Sequence, residues 1–447
     1  MASKSKRARG LKQRNLAKDF MYWGISVFII KLIIIGNVQG GAWLGADGEN
    51  YLAGYDAMVK DGIFATETKL TYWPAGYPLF ILLLSLIGKS FVLTTLSVIQ
   101  SAIYSFSAYF FAAQLTKTRL KKFAYLSFLM ILINPTLSLS SIAVGYETPA
   151  AAGYLIVAGL IIKDFVQKND KKLLPYVAIS SAIFGFMSFI QPRLIVSGIL
   201  INLLWILVRK PWKSAAVLIA TSLAITLFFP ATLIYRNHKA VGLNVISTNL
   251  GATMGIGAGD LASGGYQKIE YWIDCGALPE NASKADNKKV ICVLKWYASN
   301  PGKTIKLFYN KTKFFWSPWE GQLANGTMAR NPWLKIHPVK DIQKTPDGDK
   351  LVRGPIGSLV SWAWFLGGLG FLVYGFIILW RLKASERLIG SIAAIAIGSS
   401  WLISLITIGD HRFRLPIMGM SLFLQAVGIR TLLKGGKPPM VDGPGLR

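Results

Sequence analysis

Four short polar segments carry the residue types that do chemistry. The first reads Gly45-Ala-Asp47-Gly-Glu49-Asn-Tyr51. Residues 48–60 have helical patterning ended by Asp61-Gly62, which puts Asp47 at the N-cap with Tyr51 and Tyr55 on its face. A carboxylate there can cap the helix or take a proton from a hydroxyl as general base, and the two roles are compatible. Glu49 points well away from Asp47 in a helix and shares its face in an extended segment, so a paired-carboxylate or metal-binding role stays open. The second segment, Tyr72-Trp-Pro-Ala-Gly-Tyr-Pro78, is a rigid turn whose aromatics, Tyr77 among them, anchor a membrane interface or contact a sugar or lipid. The third, Gly145-Tyr146-Glu147-Thr148, holds a lone carboxylate that is an exposed loop residue or lines a polar cavity. The fourth is Gly409-Asp410-His411-Arg412-Phe413-Arg414-Leu415-Pro416. Two guanidiniums in so short a loop call for an anion. Asp410 with lipid headgroups can supply it, or a ligand phosphate, to which Arg offers a rigid fork. Arg193, in Gln191-Pro-Arg193, is a third candidate for the same anion.

Cys275 and Cys292 are the only cysteines, and 16 residues separate them. They form either a disulfide or two buried thiols. The three histidines, His238, His337 and His411, are scattered, so no metal-ligand cluster is evident. These residues fix no cofactor; a divalent metal stays open but has no ligand cluster behind it. Asn281-Ala-Ser283, Asn310-Lys-Thr312 and Asn325-Gly-Thr327 fit the weak glycosylation sequon.

The elements that must position these segments follow from composition. Of 447 residues, 53% are hydrophobic and 16% charged, against about 25% charged in soluble proteins. Mean hydropathy is +0.44. These values exclude a disordered chain, a disulfide-framework domain and a soluble enzyme. They leave an all-α polytopic membrane protein. Spans need roughly 20 apolar residues, and ten runs qualify as candidates: 20–38, 92–115, 123–141, 149–165, 174–190, 194–208, 214–234, 356–380, 388–408 and 415–433. The run 77–88 is too short and reads as interfacial or re-entrant. A basic stretch before the first run also fits a signal peptide, but Lys31 would interrupt its apolar core.

The net charge of +28 is mostly topology. Twenty-five Lys and Arg fall in the N-terminal segment, in alternate short loops and in the C-terminal tail. The other short loops hold six: Lys60, Lys69, Lys89, Arg193, Arg412 and Arg414. That bias places both termini in the cytoplasm and the four polar segments on the opposite face. It also removes nucleic acid as the reason for the charge. The chain divides into an N-terminal membrane body, 1–235, with its first external loop at 39–91; an external α or α+β insertion, 236–354, with helical patterning near 286–300 and 302–315; and a C-terminal membrane part with cytoplasmic tail, 355–447. No internal repeat is evident.

The polar segments, in this order, resemble the GT-C glycosyltransferases, specifically bacterial proteins similar to protein O-mannosyltransferases. The resemblance rests on Ala46-Asp47-Gly-Glu-Asn-Tyr51, Pro74-Ala-Gly-Tyr-Pro78, Glu147, Pro230 through Arg236-Asn237, and Ile246-Ser-Thr-Asn-Leu-Gly251. It continues through Asn300-Pro301, Lys313-Phe-Phe-Trp316-Ser-Pro318 and Arg412-Phe-Arg414-Leu-Pro416, the last similar to an Arg-Tyr-Arg-Leu-Pro motif. Many relatives carry adjacent acidic residues where Gly48 here separates Asp47 from Glu49, and Pro-Pro-Gly is here Pro-Ala-Gly. The resemblance implies a polyprenyl-phosphate-linked sugar as donor and an extracytoplasmic active site. The acceptor would be a protein, lipid or glycan hydroxyl. Asp47 would be the general base of an inverting single displacement. Arg412, Arg414 and Arg193 would hold the donor phosphate, and Glu49, Tyr51, Tyr77 and Glu147 would line the sugar or acceptor site. A polymerase or ligase of lipid-linked glycans, or a flippase for lipid-linked sugars, would share much of this pattern.

Overall fold

The computed structural model describes residues 16–45, 47–318, 339–342, 344–348, 354–382 and 384–433. Most of the N-terminal basic cluster, the Asn325 sequon, His337 and the C-terminal tail lie outside the described residues.

The chain is an all-α multi-pass membrane protein. Helices α1 (Leu16–Gly36), α2 (Gly48–Asp61), α3 (Lys69–Tyr72), α4 (Gly76–Ser85) and α5 (Val92–Leu115) come first. They are followed by α6 (Lys121–Ile133), α7 (Pro135–Leu139), α8 (Glu147–Gln167), α9 (Asp170–Ile190), α10 (Ile195–Arg209) and α11 (Trp212–Val241). Next come α12 (Leu250–Ile256), α13 (Ala282–Ser299), α14 (Pro301–Trp316) and the single turn α15 (Val339–Ile342). The last three are α16 (Pro355–Trp380), α17 (Ala384–Ile406) and α18 (Met418–Leu433). Among the described residues the sheet content is one two-residue parallel pair, β1 (Trp43–Leu44) with β2 (Ala143–Val144).

Among the described residues, eight helices are long and apolar enough to cross a membrane, and a ninth span results if α6 and α7 count as one bent segment. The sequence reading expected ten. The run that is not among the spans is the last, 415–433: its first residues, 415–417, form a turn that follows the 3-10 turn at His411–Arg414, and the helix starts only at Met418. That leaves the 16 residues of α18, about 24 Å of helix against an apolar layer of about 30 Å. The short run 77–88 becomes α4, a ten-residue helix. It crosses α9 closely at Gly76, where a Cβ would sit 2.0 Å from the Phe189 carbonyl oxygen.

The bend between α6 and α7 is 50° and has an identifiable cause. Pro135 has no N–H to return to the Ile131 carbonyl. The Tyr104 hydroxyl donates to that carbonyl instead, at 2.5 Å, and the Asn134 side chain caps α7 by accepting the Leu137 N–H at 2.9 Å. The bend turns residues 140–145 back over the buried polar edge of α5. There Ser97 donates to the Ile142 carbonyl at 3.1 Å, and Gln100 Nε2 donates to the carbonyls of Ser141 and Ala143 at 3.3 and 3.1 Å.

α11 runs on to Val241, past the expected start of the insertion at 236. Its last turns tie down two loops. Arg236 Nε donates to the Ile63 carbonyl at 3.0 Å, and Asn237 Nδ2 donates to the carbonyls of Val245 and Ile246 at 2.9 and 3.1 Å. Beyond it, α13 and α14 match the helical patterning read from sequence. α14 is fixed to the end of α17 by Lys311, which is fully buried. Lys311 Nζ donates to the carbonyls of Leu405 and Thr407 at 2.9 and 2.6 Å and to the Tyr297 hydroxyl at 2.8 Å. A cation on the last carbonyls of a helix satisfies acceptors that have no partner within it and complements its dipole.

Candidate active site

Arg412 draws the site together. Its Nη2 donates to Asp47 Oδ2 at 2.6 Å and its Nε to Glu147 Oε1 at 2.7 Å. The α1–α2 connection, the first residue of α8 and the α17–α18 loop therefore meet at one guanidinium. The Arg412 side chain is 2% exposed, that of Glu147 1%, and that of Asp47 20%. A buried cation needs paired charge to offset its lost hydration. Burial alone pulls Arg412 down, but the Asp47 and Glu147 carboxylates outweigh it and hold the guanidinium well above its ordinary value. Asp47 is the member of the triad that solvent reaches.

Asp47 does start α2, as its position predicts, and its carbonyl accepts the Tyr51 N–H at 3.0 Å. Its side chain makes no capping hydrogen bond. The carboxylate is turned to Arg412 instead. Glu49, one residue into α2, is exposed. Tyr51 is buried with its ring 4.8 Å from that of Tyr77. Burial, then the Asp47 carboxylate, raises its phenol well above the ordinary range.

Tyr77 is a joint between elements. Its hydroxyl donates to Gln100 Oε1 at 3.1 Å and accepts the Gly145 N–H at 2.8 Å. With Gln100 also gripping residues 141 and 143, α5 and α4 together set where α8 begins, and so where Glu147 points.

The three arginines do different things. Arg193 stacks over the Phe413 ring at 3.7 Å, its Nη2 donates to the Tyr146 hydroxyl, and it keeps partial exposure. Tyr146 also faces Arg412, whose guanidinium carbon is 5.6 Å from the ring centroid. Arg193 and Arg412 thus share one aromatic partner. Arg414 turns to the insertion. Its Nη2 donates to the Ser317 carbonyl and its guanidinium lies 4.7 Å from the centre of the Phe365 ring. Burial pushes Arg414 down to about 9, against the pull of Asp410. Asp410 accepts the Arg412 N–H at 2.8 Å and so caps the 3-10 turn. Burial pushes its carboxyl up to about 6. Burial and the Arg414 charge push His411 down to about 3, leaving a neutral imidazole near neutral pH. Gly409 lets this loop press on α14, since a Cβ there would meet the Lys311 carbonyl oxygen at 2.5 Å.

Cys275 and Cys292 form a disulfide that pins the loop before α13 to that helix. Among the described residues, no group of three or more His, Cys, Asp or Glu side chains converges to hold a metal ion. Both carboxylates of the triad already face a guanidinium. Sequence reasoning missed Gln100, Tyr146 and Phe413. Tyr146 and Phe413 lay inside motifs singled out for their charges, and no pattern marks Gln100 within an apolar helix.

No protein-family model matches the chain, and no curated protein does. Solved structures are similar to it, among them two from Archaeoglobus fulgidus. One is the archaeal oligosaccharyltransferase AglB from Archaeoglobus fulgidus in complex with an inhibitory peptide and a dolichol-phosphate, at 14% identity and a TM-score of 0.46, covering 96% of this chain and 53% of that one. The other is the Archaeoglobus fulgidus oligosaccharyltransferase in the apo form, at 13% identity and a TM-score of 0.47, covering 93% and 51%. The chain spans about half the length of these proteins.

Proposed function

We propose that this membrane protein is a GT-C-type glycosyltransferase that moves a sugar from a polyprenyl-phosphate donor to an acceptor hydroxyl on the extracytoplasmic face. The observation that carries the reading is the Asp47–Arg412–Glu147 triad, with Asp47 its most exposed member. In the reaction the acceptor oxygen attacks the anomeric carbon. The bond from that carbon to the phosphate oxygen breaks, and the hydroxyl proton goes to Asp47. The products are the glycoside, with inverted anomeric configuration, and polyprenyl phosphate. When Asp47 takes the proton its negative charge is lost. Glu147 then remains to compensate Arg412, so the buried cation is never left alone.

The departing phosphate gains charge, and fixed cationic donors stabilise it in place. Arg193 is the best placed of the three arginines, because it is partly exposed and held by aromatic contacts. Arg412 adds its charge from behind Asp47. Arg414 acts at one remove, by holding the loop against Ser317. Tyr51, Tyr77 and Glu147 shape the sugar side of the pocket, and Glu49 lies at its outer margin. No step is routed through a metal, because the donor set does not fit one. The extracytoplasmic assignment is supported by the distribution of basic loop residues and by the disulfide between the loop before α13 and that helix.

The test is incubation of membranes holding the full chain with a radiolabelled polyprenyl-phosphate sugar. Transfer of one sugar, lost in Asp47→Asn, is the expected result. Transfer of a preassembled glycan, or translocation of the lipid without transfer, would replace this reading with a ligase or a flippase.

A further inference from the structure

Arg193 and Arg412 share an aromatic ring but are compensated differently. Arg412 makes ion pairs with Asp47 and Glu147, whereas Arg193 makes none among the described residues. The Arg193 guanidinium carbon is 3.7 Å from the centroid of the Phe413 ring and 5.3 Å from that of Tyr146, and its Nη2 donates to the Tyr146 hydroxyl. The Arg412 guanidinium is 5.6 Å from the same Tyr146 ring. Chain neighbours close the circuit, since Tyr146 precedes Glu147 and Phe413 follows Arg412. Each ring is fixed from elsewhere. Tyr146 is buried in a cluster with Tyr51, Tyr77 and Val144. Phe413 is buried in another with Phe315 and Ile408, and its carbonyl accepts the Ser400 hydroxyl at 2.8 Å. Arg193 itself comes from the 3-10 turn Pro192–Leu194, between α9 and α10. Burial raises the Tyr146 phenol above its ordinary value, against the pull of Arg193 and Arg412. The hydroxyl therefore stays protonated near neutral pH and cancels none of the Arg193 charge.

We infer that Tyr146 and Phe413 are positioning residues that hold the Arg193 guanidinium in place for the phosphate of a lipid-linked donor. The donor's part in this rests on the transferase reading, but the clamp and its affinity for a lipid phosphate do not. An arginine side chain has many rotamers, and one already ordered in the free protein loses less freedom when an anion arrives. Ring faces hold the cation without neutralising it. A carboxylate in the same place would hold it and cancel the charge that the anion needs. The Tyr146 hydroxyl takes an N–H of the planar fork, which fixes its rotation and leaves further N–H donors for the anion.

The experiment is a double-mutant cycle, read as the Kd of a short-chain polyprenyl monophosphate for the full chain in phosphatidylcholine nanodiscs. The wild-type chain should bind. Tyr146→Phe keeps the ring and removes the hydroxyl, and should weaken binding about three- to tenfold. Phe413→Leu should weaken it by a similar factor through the lost stack. In the Arg193→Ala background each should change Kd by no more than about twofold, because the guanidinium through which it acts is gone. Tyr176→Phe removes a hydroxyl that donates to Gln167 at 2.8 Å, at the other end of α8, and should leave Kd unchanged. Thermal unfolding of every variant separates lost positioning from lost fold. In the sugar-transfer assay Tyr146→Phe should raise the donor KM by the same factor and keep kcat, since its ring still faces Arg412. The assignment is overturned if the wild-type chain does not bind the probe, or if folded Tyr146→Phe and Phe413→Leu bind like wild type. It is also overturned if their effects persist undiminished in Arg193→Ala, or if kcat falls at unchanged KM. Binding with a non-additive cycle but no sugar transfer by the wild-type chain would keep the clamp and reject the transferase. Sugar transfer with an additive cycle would do the reverse.

Discussion

Arg412 donates to Asp47 across 365 positions of sequence, at 2.6 Å. The contact couples a carboxylate on the α1–α2 connection to a loop between the last two helices. A second bond to Glu147, 265 positions from Arg412, makes the arrangement a fixed three-body unit. Its charge pattern has a consequence for each partner.

Asp47→Asn should remove the proton acceptor and keep the fold, because an amide oxygen can still accept from Arg412. Sugar transfer should fall by roughly 10²–10⁴, the usual contribution of a positioned general base. Expression and donor binding should be nearly unchanged. Initial rates with a radiolabelled donor test this, and normal turnover in the variant would defeat the assignment.

Glu147→Ala should destabilise far more than Glu49→Ala. The first leaves a buried cation with one carboxylate, a loss of about 3–5 kcal/mol when buried pairs are broken. The second alters an exposed group outside the cluster and should stay within about 0.5 kcal/mol. Thermal unfolding in detergent compares them directly. Equal midpoints would mean that Glu147 does not balance Arg412.

Arg193→Ala should raise the donor KM about tenfold with little change in kcat at saturation, because its stacked guanidinium is the partly exposed one. Arg414→Ala should act through the fold. It removes the bond to the Ser317 carbonyl and should lower thermal stability. If the two variants swapped these signatures, the assignment of donor contact to Arg193 would be wrong.

Much of this fold was legible in the sequence, for physical reasons that also explain the gaps. Apolar run length located the eight long apolar helices of the described residues, because the bilayer leaves few alternatives to a helix of that length. The cap position of Asp47 followed from Gly62 and the helical patterning between them. What α2 does with the Asp47 carboxylate was not legible. That choice depends on a guanidinium brought in by α17 and α18, and local spacing cannot report it. The same holds for Arg412 and Arg414. Two residues apart in one motif, they face opposite sides of a 3-10 turn and have different partners. The last helix starts at Met418, three residues into the apolar run 415–433, and that start was not legible because the turn at 415–417 is as apolar as the helix that follows. Tyr104 closing the gap left by Pro135 was equally invisible, since the pairing joins α5 to α6.

The disulfide closes a loop of about 16 residues, worth about 3 kcal/mol in the chain-entropy account. Cys275→Ser with Cys292→Ser should therefore lower the unfolding midpoint without abolishing assembly, because α13 is held to α12 by Asp286 and to α14 through Asn300-Pro301. Maleimide labelling before and after reduction reads the bond state in the native chain. Free thiols in protein taken from membranes without reductant would reject the bond, and with it one support for the external placement of the site.

Asp410 gives the stability a definite dependence on pH. Burial raises its carboxyl from 3.8 to about 6, while the Arg412 N–H bond and nearby guanidiniums pull the other way. The folded state therefore holds this proton more tightly than the unfolded chain. Stability should be greatest, as far as this group counts, below about pH 4. It should fall as pH rises from about 4 to about 6, and stay lowered above that. A shift of this size corresponds to about 3 kcal/mol. Asp410→Asn keeps an oxygen for the Arg412 N–H and has nothing to ionise. Its unfolding midpoint should exceed wild type at pH 7.5 and converge with it near pH 4. Parallel curves for the two proteins across that range would show that the buried carboxyl carries no proton linkage.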